Sequence, residues 1–315
     1  MKALVLGDLM LDEYVFGRAT RISPEAPVMV VKHHRTTRVP GGAANVARNL
    51  IALGAETHTI GVAGCDEAGN LLENSLQEHG FSGVLLVRDE SRATTRKTRV
   101  IADHTHQVLR IDQEDDAPVR ESVQAKIIDG ACRAIAGVDV IVMSDYLKGV
   151  LTETVANAVI DEAKRRGKPV MVNPKPRTIS HYRGANLISL NRAEASEALG
   201  FHSGLQDHAA ADGGAQLRKE SGAGSVLITL GESGMVAVGE SEALSVQAPK
   251  VEVYDTAGAG DTVIATVALG LAAVGFRREV FELAAQTAAS VVRHVGVATP
   301  SASDLDSIRG EMGEG

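Results

Sequence analysis

Short runs rich in Val, Ile and Leu alternate with longer Ala-rich segments along most of the chain, and few architectures accommodate that rhythm. Lys2–Leu6 (KALVL), Val138–Ser144 (VDVIVMS), Val170–Asn173 (VMVN), Leu187–Leu190 (LISL) and Val226–Leu230 (VLITL) read as strands buried on both faces. Ala43–Leu53, Glu67–His79, Arg120–Ala136, Leu151–Arg166 and Arg192–Leu199 read as helices between them. Strand-helix alternation predicts an α/β fold with a mainly parallel central sheet and helices on both faces. Ligands of such sheets bind beyond the carboxyl ends of the strands, so those loops are where function is sought.

Two stretches depart from the rhythm. Pro27–His34 (PVMVVKHH) and Thr94–Asp112 (TTRKTRVIADHTHQVLRID) read as exposed strands with polar alternation, the second as a hairpin turning around Ala102–His104. They predict a small antiparallel sheet projecting from the body, within about residues 13–39 and 93–112 of one 315-residue domain. Such a sheet serves as a lid or as a dimerisation surface. Exposed strands without edge protection make a homodimer through this sheet an expectation.

Only 3% of residues are aromatic, so Ala, Val, Leu and Ile must build the core. The net charge of −8 argues against a nucleic-acid coat while leaving room for a local basic pocket. The apolar stretch Val263–Phe276 falls short of the ~20 residues a membrane helix needs, and Asp8 interrupts the N-terminal run too early for a signal peptide. Cys65 and Cys132 form neither a disulfide framework nor a ligand cluster. The expectation is a cytoplasmic protein with neither membrane nor nucleic-acid partners. His104 and His106 have the spacing of two metal ligands but no third nearby, so no metal site is expected there.

The most informative segment is Asp255–Asp261, DTAGAGD, followed at once by the helical run TVIATVALGLAAV. Gly258 and Gly260 let backbone N–H groups, with that of Ala259, converge without side-chain obstruction. At a helix N-terminus such groups favour an anion. An acid there, Asp261, would repel a phosphate, yet it suits a general base that must sit beside a transferred phosphoryl group. A Gly-rich turn in which Asp261 caps a helix accounts for the isolated GAGD equally well.

The whole seven-residue string resembles, residue for residue, the second signature of the ribokinase-like (PfkB) carbohydrate kinases. Pro40–Gly54 (PGGAANVARNLIALG) is similar to their first signature, and Asn191–Glu194 (NRAE) to their N-x-x-E motif. The resemblance implies a ribokinase-like fold, ATP and Mg2+, and Asp261 as the base beside an anion hole of Gly258, Ala259 and Gly260. It implies a nucleotide site of Asn191, Arg192, Ala193, Glu194, Thr229 and Gly231, with Glu194 reaching magnesium through water. An Asn-initiated helix cap explains NRAE too, and an ordinary strand-to-turn transition explains Thr229–Gly231. The family leaves room for a monovalent cation. Neither a GxxxxGK[ST] loop nor a GxGxxG turn after the first strand occurs, which disfavours P-loop kinases and dehydrogenases.

The N-terminal half adds GDLMLDEY, RISPEAPVMVV, QVLRID and SDYLKG, which together resemble the D-glycero-D-manno-heptose 7-phosphate kinases of lipopolysaccharide synthesis. That likeness implies phosphorylation of the anomeric hydroxyl to the 1,7-bisphosphate. Another sugar or sugar-phosphate kinase of the fold, or a non-catalytic sugar-phosphate sensor, are the rivals. Asp8 and Asp12, placed at the carboxyl end of the first strand, can accept hydrogen bonds from sugar hydroxyls, and Gly41, Gly42 and Asn45 form the helix start beside them. A sugar phosphate needs cations, and Lys97, Arg99 and Arg110 on the lid strands and Lys175 after a strand can supply them. A solvated edge strand carries such charges as well. Asn173-Pro174-Lys175 stands where related kinases have Asp-Pro-Lys, which removes a carboxylate at 173 but keeps the lysine. Some relatives fuse a nucleotidyltransferase; here the kinase motifs fill the chain, so a separate enzyme is expected for that step.

Overall fold

The computed structural model describes residues 1–81, 83–103, 106–294 and 296–313. Its principal sheet has nine strands. In spatial order they are β13 (Ala243–Val246), β12 (Met235–Val238), β11 (Ser225–Thr229), β10 (Leu187–Asn191), β9 (Val170–Asn173), β8 (Val140–Ser144), β1 (Lys2–Gly7), β4 (Glu56–Gly64) and β5 (Gly83–Asp89). The strands from β11 to β5 are parallel, and β12 and β13 add an antiparallel edge.

The near-continuous apolar runs are explained by burial on both faces. In β1, Leu4 and Leu6 join one core while Ala3 and Val5 join the other, and β8 splits Ile141 and Met143 from Val140 and Val142 in the same way. Against the first face pack α3 (Glu121–Ile135), α4 (Glu153–Arg165), α5 (Arg192–Ala198) and α6 (Ala210–Ser221). Against the second pack α1 (Ala43–Ala52), α2 (Glu67–Glu78), α7 (Ala259–Val274) and α8 (Arg278–Val291). A last helix, α9 (Ala302–Gly313), lies on α8.

Each expected strand and helix of the main body is present, with ends displaced by one or two residues. α4 begins at Glu153 rather than Leu151 because the Thr152 hydroxyl accepts the Val155 N–H and caps it. Of the apolar stretch Val263–Phe276, the part up to Ala268 is buried and the rest reaches the surface.

The second sheet is a departure in two respects. Its four strands run β3 (Met29–Gly42), β2 (Leu9–Ile22), β6 (Arg96–Ala102) and β7 (His106–Gln113). The central pair, β2 and β6, is parallel, so the sheet is mixed rather than antiparallel. Asp12 belongs to β2, not to the end of β1, because the chain leaves the main sheet at Asp8 and at once starts a fourteen-residue strand. That strand carries Asp12 and Glu13 on opposite faces; both are buried, and arginines neutralise them, Arg99 on Asp12 and Arg38 and Arg96 on Glu13. The hairpin expected around Ala102–His104 joins β6 to β7; His104 itself lies outside the described residues, and with it the His104–His106 pair.

Candidate active site

The carboxyl ends of β8, β9, β10 and β11 and the loops that follow them meet the start of α7. Gly258, with φ at +84°, occupies the left-handed region as the residue before the helix, a conformation that favours glycine. The first helical bond runs from Thr262 N–H to Gly258 C=O, so the N–H groups of Gly260 and Asp261 precede the ladder and have no partner within it. The Ala259 N–H differs: it donates to Thr256 C=O at 3.3 Å.

Asp261 is only 5% exposed. Its Oδ1 accepts from Tyr146 Oη at 2.9 Å and its Oδ2 from Asn45 Nδ2 at 2.8 Å. Burial pushes its carboxyl up to about 6, aided by the charge of Asp12 and opposed by the two hydrogen bonds and by Lys175. A carboxylate poised there suits a general base working near neutral pH.

Asn45 reaches that position because β3 ends in two glycines where α1 begins. A Cβ on Gly41 would fall 1.9 Å from Asp12 Oδ2, and one on Gly42 would fall 2.3 Å from the Asp8 carbonyl oxygen. Arg48, one turn along α1, donates to Asn45 Oδ1 at 3.1 Å and to the Val297 carbonyl at 3.3 Å. It therefore fixes the amide that holds Asp261.

On the lid, strand register sets Asp12, Lys97 and Asp112 in one row and Tyr14, Arg99 and Arg110 in the next. Arg99 donates to Asp12 Oδ1 at 2.5 Å and covers the Tyr14 ring. Lys97 bridges Asp112 at 3.2 Å and Glu114 at 2.9 Å, while Arg110 pairs with Asp112 at 2.8 Å. All three lid cations are thus engaged by carboxylates.

A cavity of about 140 Å³ opens beside Asp261, lined among others by Tyr146, Asn173, Lys175, Glu194 and Thr229 together with Gly258 and Gly260. Lys175 Nζ meets Glu194 Oε1 at 2.5 Å. Asn191 lines the cavity too and caps α5: its Oδ1 accepts the Glu194 N–H, and Glu194 Oε2 accepts the Asn191 N–H, each at 2.9 Å. The helix-cap reading of NRAE therefore describes the geometry.

Several expected site residues lie elsewhere. Arg192 turns away to the carbonyls of Leu205 and Leu230, both at 2.9 Å, and ties down those loops. Ala193 faces outward on α5, and Gly231 opens a short turn past β11 outside the cavity lining. Asp8 corrects a more specific expectation. It is 1% exposed, and its carboxylate accepts the backbone N–H groups of Tyr146, Lys148 and Val150 at 2.7, 3.1 and 3.2 Å. Those oxygens hold a loop and are not turned to a sugar. Conversely, Tyr146 and Arg48 were missed; Tyr146 could have been found from its place just past a buried strand, at the ligand-binding edge.

Comparison with known proteins gives the family and the fold. The chain is 43% identical over 317 aligned residues to the bifunctional protein HldE of Caulobacter vibrioides, a match covering 99% of this chain and 65% of that protein. It is 42% identical to HldE of Desulfatibacillum aliphaticivorans over 96% of this chain and 62% of the relative. The chain thus spans somewhat less than two thirds of the length of these relatives. Phosphofructokinase-2 of Escherichia coli, solved in complex with potassium, superposes with a TM-score of 0.81 at 20% identity, covering 99% of both chains. A putative ribokinase of Agrobacterium tumefaciens gives 0.74 at 19% identity, over 99% of this chain and 98% of that one. These likenesses show a ribokinase-like fold. Residues 2–304 match the pfkB family of carbohydrate kinases, and the chain belongs to that family.

Proposed function

We propose that this sugar kinase transfers the γ-phosphoryl group of ATP to the anomeric hydroxyl of D-glycero-D-manno-heptose 7-phosphate, giving the 1,7-bisphosphate for lipopolysaccharide-core precursors. The observation that carries the reaction is Asp261, buried at the start of α7 beside free helix N–H groups and held at both oxygens. In this reading Asp261 takes the proton as the sugar oxygen attacks phosphorus. The Gly260 and Asp261 N–H groups face the charge that develops on the transferred group. The heptose assignment rests on the N-terminal strings, RISPEAPV above all, and on likeness to proteins named HldE.

The residues fit a magnesium nucleotide. Among the described residues no group of three or more His, Cys, Asp or Glu side chains could hold a metal alone. Mg2+ is commonly held by one or two carboxylates, waters and substrate phosphates, and Glu194 is the carboxylate at hand. Bound there, the ion would neutralise phosphate charge. Lys175 would meet the phosphates, Asn191 and Thr229 would line the nucleotide, and Asp12 and Asn45 the sugar. Lys97, Arg99 and Arg110 would hold its phosphate.

We further assign the two sheets to one kinase domain in the cytoplasm, where ATP and sugar phosphates reside; no helix among the described residues is long and apolar enough to cross a membrane. A homodimer through the lid is supported by exposed Leu109 and Ile111 on edge strand β7. A monovalent cation is supported by the potassium complex of the similar phosphofructokinase-2.

The test is ADP release with ATP and Mg2+ across heptose 7-phosphate, ribose and fructose 6-phosphate, with Asp261→Asn as control. Preference for the heptose, lost in the variant, is expected. Preference for another sugar overturns the specificity; silence with all three overturns the kinase reading.

A further inference from the structure

We propose that Tyr146 is a positioning residue for the proton transfer, its hydroxyl orienting Asp261 and setting the pH at which that base becomes active. The proposal rests on the reading of Asp261 as the base.

The geometry is unusually constrained. Tyr146 Oη donates to Asp261 Oδ1 at 2.9 Å, across 115 residues of sequence, while Asn45 takes the other oxygen. One donor per oxygen leaves each a further lone pair for an incoming proton. The tyrosine stands on the turn after β8, and that turn is pinned by two buried carboxylates. Asp8 accepts the backbone N–H groups of residues 146, 148 and 150. Asp145 Oδ1 accepts the Leu147 N–H at 2.8 Å, and its Oδ2 accepts the hydroxyls of Thr178 at 2.6 Å and Tyr182 at 2.7 Å. Between them Leu147 adopts φ of +58°, a left-handed conformation that a leucine enters only when its surroundings impose it. The strain falls on the residue next to the tyrosine that touches the base.

The remaining groups around Asp261 come from five parts of the fold. Lys175 lies after β9, its ammonium 5.1 Å from the Tyr146 ring centroid; Glu194 is on α5, Asp12 on β2 with Arg99 behind it, and Arg48 on α1 behind Asn45. Burial raises the Tyr146 phenol well above its ordinary 10, so it stays a donor throughout the neutral range. In the reaction the proton leaves the sugar hydroxyl for Asp261 as the oxygen–phosphorus bond forms, and Tyr146 keeps its own. Its contribution is to favour the ionised carboxylate against burial and to hold the carboxyl plane.

The experiment compares wild type with Tyr146→Phe in two readouts. The first is the pH profile of kcat/KM. The second is a carbon-13 NMR titration of aspartate-labelled protein without substrate, the Asp261 signal being assigned with Asp261→Asn. Loss of a hydrogen bond to a charged group should move both the acid limb and the titration midpoint up by about one pH unit. The KM for nucleotide should not change. An unmoved midpoint overturns the proposal, whatever happens to turnover. Should the Phe variant unfold, 3-fluorotyrosine placed at 146 as a stronger donor should move the midpoint down, and no movement again overturns the proposal. If wild type phosphorylates no sugar yet the midpoint moves, the Tyr146–Asp261 coupling stands and the kinase reading is what fails.

Discussion

Lys175 and Glu194 close an ion pair of 2.5 Å that joins the loop after β9 to the first turn of α5, both lining the cavity beside Asp261. The two were expected to serve phosphate and magnesium separately, and the structure pairs them with each other. Binding of a magnesium nucleotide should part them. A double-mutant cycle with Lys175→Met and Glu194→Gln, read by urea unfolding, should give a coupling of about 1 kcal/mol in the free protein. With nucleotide and Mg2+ bound the coupling should vanish. A coupling unchanged by nucleotide would mean that neither residue changes partner.

Asp261→Asn should lower turnover by about 10²- to 10⁴-fold, the range a positioned general base supplies, with little change in sugar KM. Steady-state kinetics on the preferred sugar decide this. A variant with near wild-type turnover removes Asp261 from the base role.

The same substitution should act on stability with the opposite sign. Folding raises the Asp261 carboxyl from 3.8 to about 6, so the unfolded chain gives up this proton first as pH rises. The stability tied to the protonated group is complete below about pH 4 and is lost between there and about pH 6. That loss is on the order of 3 kcal/mol. Asp261→Asn therefore gains on wild type between pH 4 and pH 7, while wild-type activity rises through about pH 6. Urea unfolding at the two pH values checks it; a stability difference independent of pH contradicts it. Asp8, raised to about 6 chiefly by burial and then by Asp145, adds a loss of the same sign.

Two glycines only two residues apart should respond differently to alanine. A Cβ on Gly260 meets nothing within 4 Å, and the residue is helical, so Gly260→Ala should stabilise the fold by about 0.5–1 kcal/mol. The new methyl would sit where the phosphate approaches the N–H groups, so activity should fall as the melting temperature rises. At Gly258 φ is +84° and a Cβ would lie 2.9 Å from Asn45 Nδ2, so Gly258→Ala should lower both. Thermal melts and initial rates on the two variants separate these outcomes.

Lid charges should be readable through the acceptor KM. Lys97 is divided between Asp112 and Glu114. Lys97→Met should raise the KM for a sugar phosphate by about 10-fold or more, the value of a lost hydrogen bond to a charged group. Asp112→Asn, which releases Arg110 and leaves Lys97 with Glu114 alone, should lower it. Equal effects on phosphorylated and unphosphorylated sugars would show that these cations do not bind the phosphate.

What could be read in the sequence was whatever is local. DTAGAGD places two glycines, an acid and a helix start within seven residues, and burial on both faces marks the parallel strands residue by residue. Partnerships between distant residues were not legible. Asp8 looks like an open sugar ligand until the chain returns about 140 residues later and lays three N–H groups on its carboxylate. Tyr146 acquires its role only when the β8 loop folds against α7. Strand β2 was legible only in part, inside the 13–39 range, because its buried start at Leu9–Glu13 mixes apolar residues with carboxylates whose arginine partners lie far along the chain.

The root of the lid lies where Leu9 pairs with Gly42, next to the helix that carries Asn45, and β2 and β3 then run together to Ile22 and Met29. At about 3.3 Å per residue the fourteen residues of β2 make an arm of about 45 Å. A swing of about 5° at the root carries the far end through about 4 Å but shifts Asp12, about 10 Å out by the same rise, by only about 1 Å. Leverage of this kind separates two scales of motion on one strand pair. Distance probes at Ile22 would register the swing in full, while the Asp12 carboxylate stays within the span of a single hydrogen bond.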